Sequence, residues 1–192
     1  SVEVVAHARG VEQGAVGEGT MDLNVRPLAR EDAAALALIG QATFLETYAT
    51  VLPAADIQTH CRNEHGEARY ADWLGKPGYD FWGAEIAGLG GLVGYVMLCP
   101  PDLPVATGEG DLEIKRIYLL SKFQGGGVGA RLMNVATAAA RAAGARRLWL
   151  GVYGENASAI AFYARQGFTQ AGVRKFQVGA NTYDDLVLAR DL

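Results

Sequence analysis

Cysteine, histidine and basic charge are all scarce in this chain, and each scarcity removes a class of protein. The two cysteines, Cys61 and Cys99, stand in unrelated contexts, so they read as core thiols and not as a disulfide framework. The opening residues lack a basic segment followed by an apolar core, so they do not read as a secretory signal; the expected compartment is cytoplasmic. No apolar run is long enough to span a bilayer, and no membrane partner is expected. Lysine and arginine number 17 against 21 acidic residues, a formal net charge of −4, so the basic footprint of a nucleic-acid binder is missing. Of the three histidines, His60 and His65 lie near Cys61, but their spacing and number do not suit a structural zinc site, and no metal is expected. There is no internal repeat and no low-complexity linker.

Half of the 192 residues are hydrophobic and a fifth are charged, the balance of one globular domain able to bury its own core. Residues 1–20 are rich in Gly, Glu and Val without a sustained period. They read as an extension that is disordered or foreign to the protein, with Met21 a candidate start and the folded domain in 21–192. A strand is expected at 23–26, ended by Pro27, then a helix over 31–41 with Glu31 and Asp32 in its first turn. Further helix is expected at 44–48 and 56–73, broken near Leu52-Pro53. Strands at 79–86 and 92–99 flank a Gly88–Gly91 turn as a hairpin. The aromatic group Trp73, Tyr79, Phe81 and Trp82 reads as core at a helix–strand junction. The remainder alternates: strand 111–120, helix 128–143 stopped by Gly144, strand 146–152, a helix capped by Asn156 and ended by Gly167, then strands 168–178 and 182–189. The order predicts an α/β (α+β) protein, one mixed sheet with helices packed on it.

Residues 124–130, Gln-Gly-Gly-Gly-Val-Gly-Ala, join a strand to a helix N-terminus. The first amides of a helix have no internal partners, the helix dipole favours negative charge there, and glycine lets backbone approach an anion closely. A phosphate-bearing ligand is the first inference. Gly125-x-Gly127-x-x-Ala130 formally satisfies the dinucleotide fingerprint, but Ser121–Gln124 intervenes after the strand and no acid ends the next strand at 148–152. A P-loop is excluded because no Gly-Lys-Ser/Thr follows.

Gln124-x-x-Gly127-x-Gly129-Ala130 resembles motif A of the GNAT superfamily of N-acetyltransferases. Asn156-x-x-Ala159-x-x-Phe162-Tyr163-x-x-x-Gly167-Phe168 resembles that family's downstream signature. Val25-Arg26-Pro27 with Arg30-Glu31-Asp32 is similar to its opening, so the resemblance covers nearly everything after residue 22. It implies a single-domain GNAT fold: a mostly antiparallel mixed sheet of about seven strands, helices on both faces, and a splayed V at the strand before the glycine turn. The implied cosubstrate is acetyl-coenzyme A, with no metal. Its pyrophosphate suits the amides of Gly125, Gly126, Gly127, Val128, Gly129 and Ala130, with Gln124 as an added side-chain donor. Its pantetheine arm suits the backbone edge at Ile117, Tyr118 and Leu119. The reaction implied is direct aminolysis of a thioester without an acyl-enzyme. Tyr163 matches the family acid for the leaving thiolate, against a plain reading as a core aromatic. Glu113 lies at the spacing some members use for a base, against a reading as a solvated residue paired with Lys115 or Arg116. Asn156 caps its helix and, by resemblance, also faces the coenzyme arm.

Thr43–Tyr48 followed by Leu52-Pro53, and the run 115–119, resemble the polyamine-acetyltransferase-like branch. Glu46 and Tyr48 are accordingly acceptor-pocket candidates, with amphipathic helix positions as the alternative. The expected partner is a small-molecule amine. The rival readings are a protein or peptide N-acetyltransferase and a non-catalytic acetyl-coenzyme A-binding homologue. A homodimer is common in the family, although no feature of this sequence demonstrates one.

Overall fold

The protein is described by a computed structural model covering residues 3–5 and 21–192. Apart from Glu3–Val5, the expectation for residues 1–20 lies outside the described residues. Those three form a strand, β1. The domain then runs β2 (Leu23–Pro27), α1 (Ala33–Tyr48), α2 (Ala54–Glu64), α3 (Glu67–Leu74), β3 (Asp80–Ile86), β4 (Leu92–Cys99), β5 (Leu112–Leu119), α4 (Val128–Ala142), β6 (Arg147–Tyr153), α5 (Ala157–Arg165), β7 (Thr169–Val178) and β8 (Asn181–Asp191). Short 3₁₀ turns at Arg30–Asp32 and Ser121–Phe123 lead into α1 and the glycine turn.

Two boundaries differ from expectation. The helices expected at 31–41 and 44–48 are one helix, within which Thr43 bonds its hydroxyl back to the Ile39 carbonyl at 2.7 Å. The helix expected over 56–73 is two, because His65 and Gly66 leave the helical path. A Cβ on Gly66 would stand 2.8 Å from the Arg62 carbonyl, so only glycine makes this corner without a shift.

Seven strands pair in the order β2-β3-β4-β5-β6-β8-β7, every pairing along this path but β5 with β6 is antiparallel, and β1, off the path, pairs with β5 in parallel. One core cluster places α4 and α5 on one face, through Leu132, Met133, Ala136 and Tyr163. The other places α1, α2 and α3 on the opposite face, through Leu36, Phe44, Ile57 and Tyr70. Trp73 and Phe81 are buried as expected at that junction, while Tyr79 and Trp82 are only partly covered.

The centre of the sheet is where its order breaks. β5 pairs with β6 at two positions only, Leu112 with Leu148 and Glu113 with Trp149. On its other side β5 carries a bulge: Met97 faces Arg116 and Leu98 faces Ile114, so Lys115 is the extra residue. A bulge bends its strand and raises its twist, and here it turns β5 away from its parallel neighbour. This is the expected V.

β5 also buries three charged side chains in a strand covered on both faces. Arg116, 1 % exposed, donates to the Glu64 carbonyl at 2.8 Å and to the Tyr70 hydroxyl at 2.9 Å, and lies over the Trp73 ring. Tyr70 in turn bonds the hydroxyl of Tyr95 at 2.5 Å and His65 Nδ1 at 2.9 Å. This network fastens α2 and α3 to the sheet. Gly40 of α1 lies against it: a Cβ there would meet the Tyr70 hydroxyl and stand 2.7 Å from His65 Nδ1. In an open helix Gly→Ala stabilises by about 1 kcal/mol. Gly40→Ala should instead cost about 1–3 kcal/mol in urea unfolding, the range for overpacking. An unchanged or higher midpoint would mean that α1 yields without cost.

Candidate active site

The glycine turn owes its shape to two left-handed residues, Gly125 at φ 84° and Gly127 at φ 81°, the latter at the N-cap of α4. A side chain at either would be strained, although no atom stands within 4 Å of where a Cβ would go. The turn is therefore open in front, with the first amides of α4 behind it. The intervening residues that weakened the dinucleotide reading form the Ser121–Phe123 turn. Glu46, an exposed residue of α1, holds that turn by accepting from the Ser121 amide at 3.0 Å and hydroxyl at 2.5 Å.

A cavity of about 290 Å³ opens before the turn. Ile117, Tyr118 and Leu119 of β5 line one side, and Gln124, Gly125, Gly127, Gly129 and Ala130 line its head. The far wall is one face of α5: Ser158, Phe162, Arg165 and Gln166, with Tyr163 beneath. Ser158, Arg165 and Gln166 were not singled out from sequence. Their spacing from Phe162, the periodicity of a single helix face, is the signal that would have found them.

Tyr163 is fully buried, its ring packed edge-on against Phe162 and Phe168, and its hydroxyl has no hydrogen-bond partner among the described residues. A buried hydroxyl without a partner costs stability, so its position is not explained by packing alone. Burial raises its pKa well above that of an ordinary phenol, which keeps the proton on the oxygen.

Gln124 lines the cavity and is bonded within the chain. Its amide nitrogen donates to the Leu119 carbonyl at 2.9 Å, tying the head of the turn to the end of β5. Asn156 caps α5, its side chain accepting from the Ala159 amide at 3.1 Å. Val128 is buried at the start of α4, and Gly126 sits open between the two left-handed glycines. Tyr48 is buried in the α1–α2 core against Phe44, away from the cavity.

Glu113 stands apart from the cavity. Ile114 packs under α4, so by strand alternation Glu113 faces the opposite side. It is fully buried and not the solvated residue of the plain reading. One oxygen accepts from the Asp102 amide at 2.7 Å and the other has no partner among the described residues. Burial raises its pKa above the usual carboxylate range, opposed in part by Lys115, the Asp102 amide and Arg174. The Arg174 side chain crosses Gly151, where a Cβ would stand 2.7 Å from Nη2, and pairs with the buried Asp185. Neither cysteine is in a disulfide.

A model of the acetyltransferase (GNAT) family matches residues 45–168, a span that holds the strand, turn, helix and α5 wall just described. The chain belongs to this family. An uncharacterized N-acetyltransferase of Mycobacterium bovis is 34% identical over 161 residues, covering 84% of this chain and 98% of that one. Among solved structures, the PaiA N-acetyltransferase of Thermoplasma acidophilum, in complex with coenzyme A, superposes with a TM-score of 0.73 at 20% identity, over 90% of this chain and 100% of that one. The ribosomal-protein-alanine N-acetyltransferase of Brucella melitensis gives 0.63 at 26% identity, over 88% and 99%. The GNAT fold thus accounts for the sheet order and the V, and the chain is an acyltransferase.

Glu113 gives a pH-dependent test. Below the ordinary carboxylate range it is protonated both folded and unfolded, and its raised folded pKa contributes fully to stability. That contribution is lost as pH rises through the folded pKa. Glu113→Gln keeps an acceptor for Asp102 and has no such loss. Its urea midpoint should therefore gain on the wild type as pH rises from the acidic range toward neutrality. Parallel curves would show that the carboxylate is not held protonated by the fold.

Proposed function

We propose that the chain transfers the acetyl group of acetyl-coenzyme A to the primary amine of a small molecule, by direct attack and without an acyl-enzyme. The observation that carries the reading is the convergence, in one cavity, of the open glycine turn, the diverging edge of β5 and the unpartnered Tyr163 hydroxyl. The amides from Gly125 to Ala130 suit a pyrophosphate at a helix N-terminus. The edge at Ile117–Leu119 suits the amides of a pantetheine arm, and the cavity runs from one to the other toward Tyr163. The coenzyme A held by the Thermoplasma relative supports the same assignment.

In this reading the amine nitrogen attacks the thioester carbonyl, a C–N bond forms and the C–S bond breaks. Tyr163, neutral because it is buried, gives its proton to the departing sulfur. Glu113 takes the amine's proton from the other face of the sheet, through water. The family's chemistry needs no metal. The acceptor is a small primary amine, with polyamines the first class to test; this follows from the resemblance of residues 43–53. Glu46, bonded to Ser121 beside the turn, remains the nearer of the two acceptor candidates, since Tyr48 is enclosed in core. A peptide acceptor is the second reading, favoured by the Brucella relative's name. The absence of a disulfide at Cys61 and Cys99 suits a cytoplasmic setting.

Thiol release from acetyl-coenzyme A, measured against polyamines, amino acids and N-terminal peptides, tests the activity and its acceptor class together. Turnover with peptides alone would replace the small-amine reading, and coenzyme binding without turnover on any amine would replace both. For the acid, Tyr163→Phe should lower kcat about 100-fold, within the range for one proton-transferring group, with little change in KM for acetyl-coenzyme A. Because the hydroxyl makes no bond, the same variant should keep or raise the melting temperature. Normal kcat would return Tyr163 to the core.

A further inference from the structure

The diverging stretch of β5 already carries a strand of the chain itself. β1 pairs with it in parallel, Glu3 opposite Arg116, Val4 opposite Ile117 and Val5 opposite Tyr118. β1 also approaches β6 on its other side. It therefore fills the gap at the centre of the sheet, although β2 and β7 leave two outer edges at the ends of the sheet order. Ile117 and Tyr118 are both cavity residues. A strand edge offers each of its amides and carbonyls once. An extended peptide and a pantetheine arm ask for the same groups in the same way, through amides spaced along an extended chain. The two cannot pair with Arg116–Tyr118 together.

We propose that Glu3–Val5 is an autoinhibitory strand, an internal competitor that occupies the β5 edge in the free protein and is displaced when the pantetheine arm of acetyl-coenzyme A enters. This rests on the coenzyme reading above. Tethering makes the strand's local concentration independent of dilution, so occupancy is set by the ladder's strength alone. A three-residue ladder is short, so the strand keeps the gap closed in most molecules and leaves it open in the rest. The apparent coenzyme affinity falls by the fraction still open. Coenzyme binding, in turn, releases the segment.

The test uses the full chain and its Val4→Pro/Val5→Pro variant. Successive amides of a strand point to opposite edges, so two consecutive prolines remove whichever N–H faces β5. Titration calorimetry with coenzyme A should show the variant binding about three- to tenfold more tightly, the gain expected when a mostly closed gap is opened. Its kcat should be unchanged, since neither residue has a part in the proposed reaction. Amide hydrogen exchange should show protection at Val4 or Val5 in the free chain, lost at saturating coenzyme A. Equal affinity in the two chains, no protection in the free chain, or protection that persists with coenzyme A bound would each overturn the strand's role while leaving the coenzyme reading intact. Failure of both chains to bind coenzyme A would overturn the two together.

Discussion

The structure depends on two parallel strands that pair at two positions and then part. A buried strand must satisfy its amides and carbonyls, and β5 beyond Glu113 has lost β6 as a partner. The cause is local: the extra residue Lys115 bends β5 while β4 holds its other edge in register as far as Leu119. The fold meets the resulting demand in two places, with the Gln124 side chain on the Leu119 carbonyl and β1 along Arg116–Tyr118. An enzyme that binds an amide-bearing arm needs an edge of this kind, available without being left bare. Gln124 holds the glycine turn at the end of that edge, which fixes the distance between an anion at the turn and groups deeper in the cleft.

The bend places charge in the middle of the sheet, and the helices on the α1–α3 face are arranged around it. Arg116 points away from the cavity and is enclosed by Glu64, His65, Tyr70 and Trp73. Breaking such a buried cluster by removing one member costs more than the cluster itself contributes, so it acts to fix one arrangement of α2 and α3. That matters because the same short strand carries the cavity wall at Ile117–Leu119 and Glu113. A shift of the helices would move them all.

Much of this was legible in sequence because it is local. Left-handed glycines, a helix start at Val128 and the Asn156 cap are written in adjacent residues, and the strands at 92–99 and 111–120 matched their hydrophobic runs. What escaped depends on packing. α1 runs unbroken through Thr43, with Phe44 and Tyr48 in the same core cluster as Leu36, a continuity that local propensity does not record. The plain reading of Glu113 as a solvated residue paired with Lys115 or Arg116 fails because the sheet is covered on both sides there, and all three are buried. Residues 1–20 lacked periodicity, yet Glu3–Val5 form a strand, because strand addition draws on backbone and needs no side-chain pattern.

Two buried oxygens without partners, the Tyr163 hydroxyl and one oxygen of Glu113, lie on opposite sides of the sheet. Each destabilises the free protein. A sheet closed across its middle would keep them apart, but β5 and β6 part just beyond Glu113, at the stretch that β1 covers. In the proposed reaction the thioester enters from the α4–α5 side, the amine from the α1–α3 side, and the bond forms in the gap. The acid then stands with the leaving sulfur and the base with the attacking nitrogen, as direct transfer requires. On this view the parting of β5 and β6 does more than expose an edge for binding: it lets the two halves of one reaction meet through the sheet.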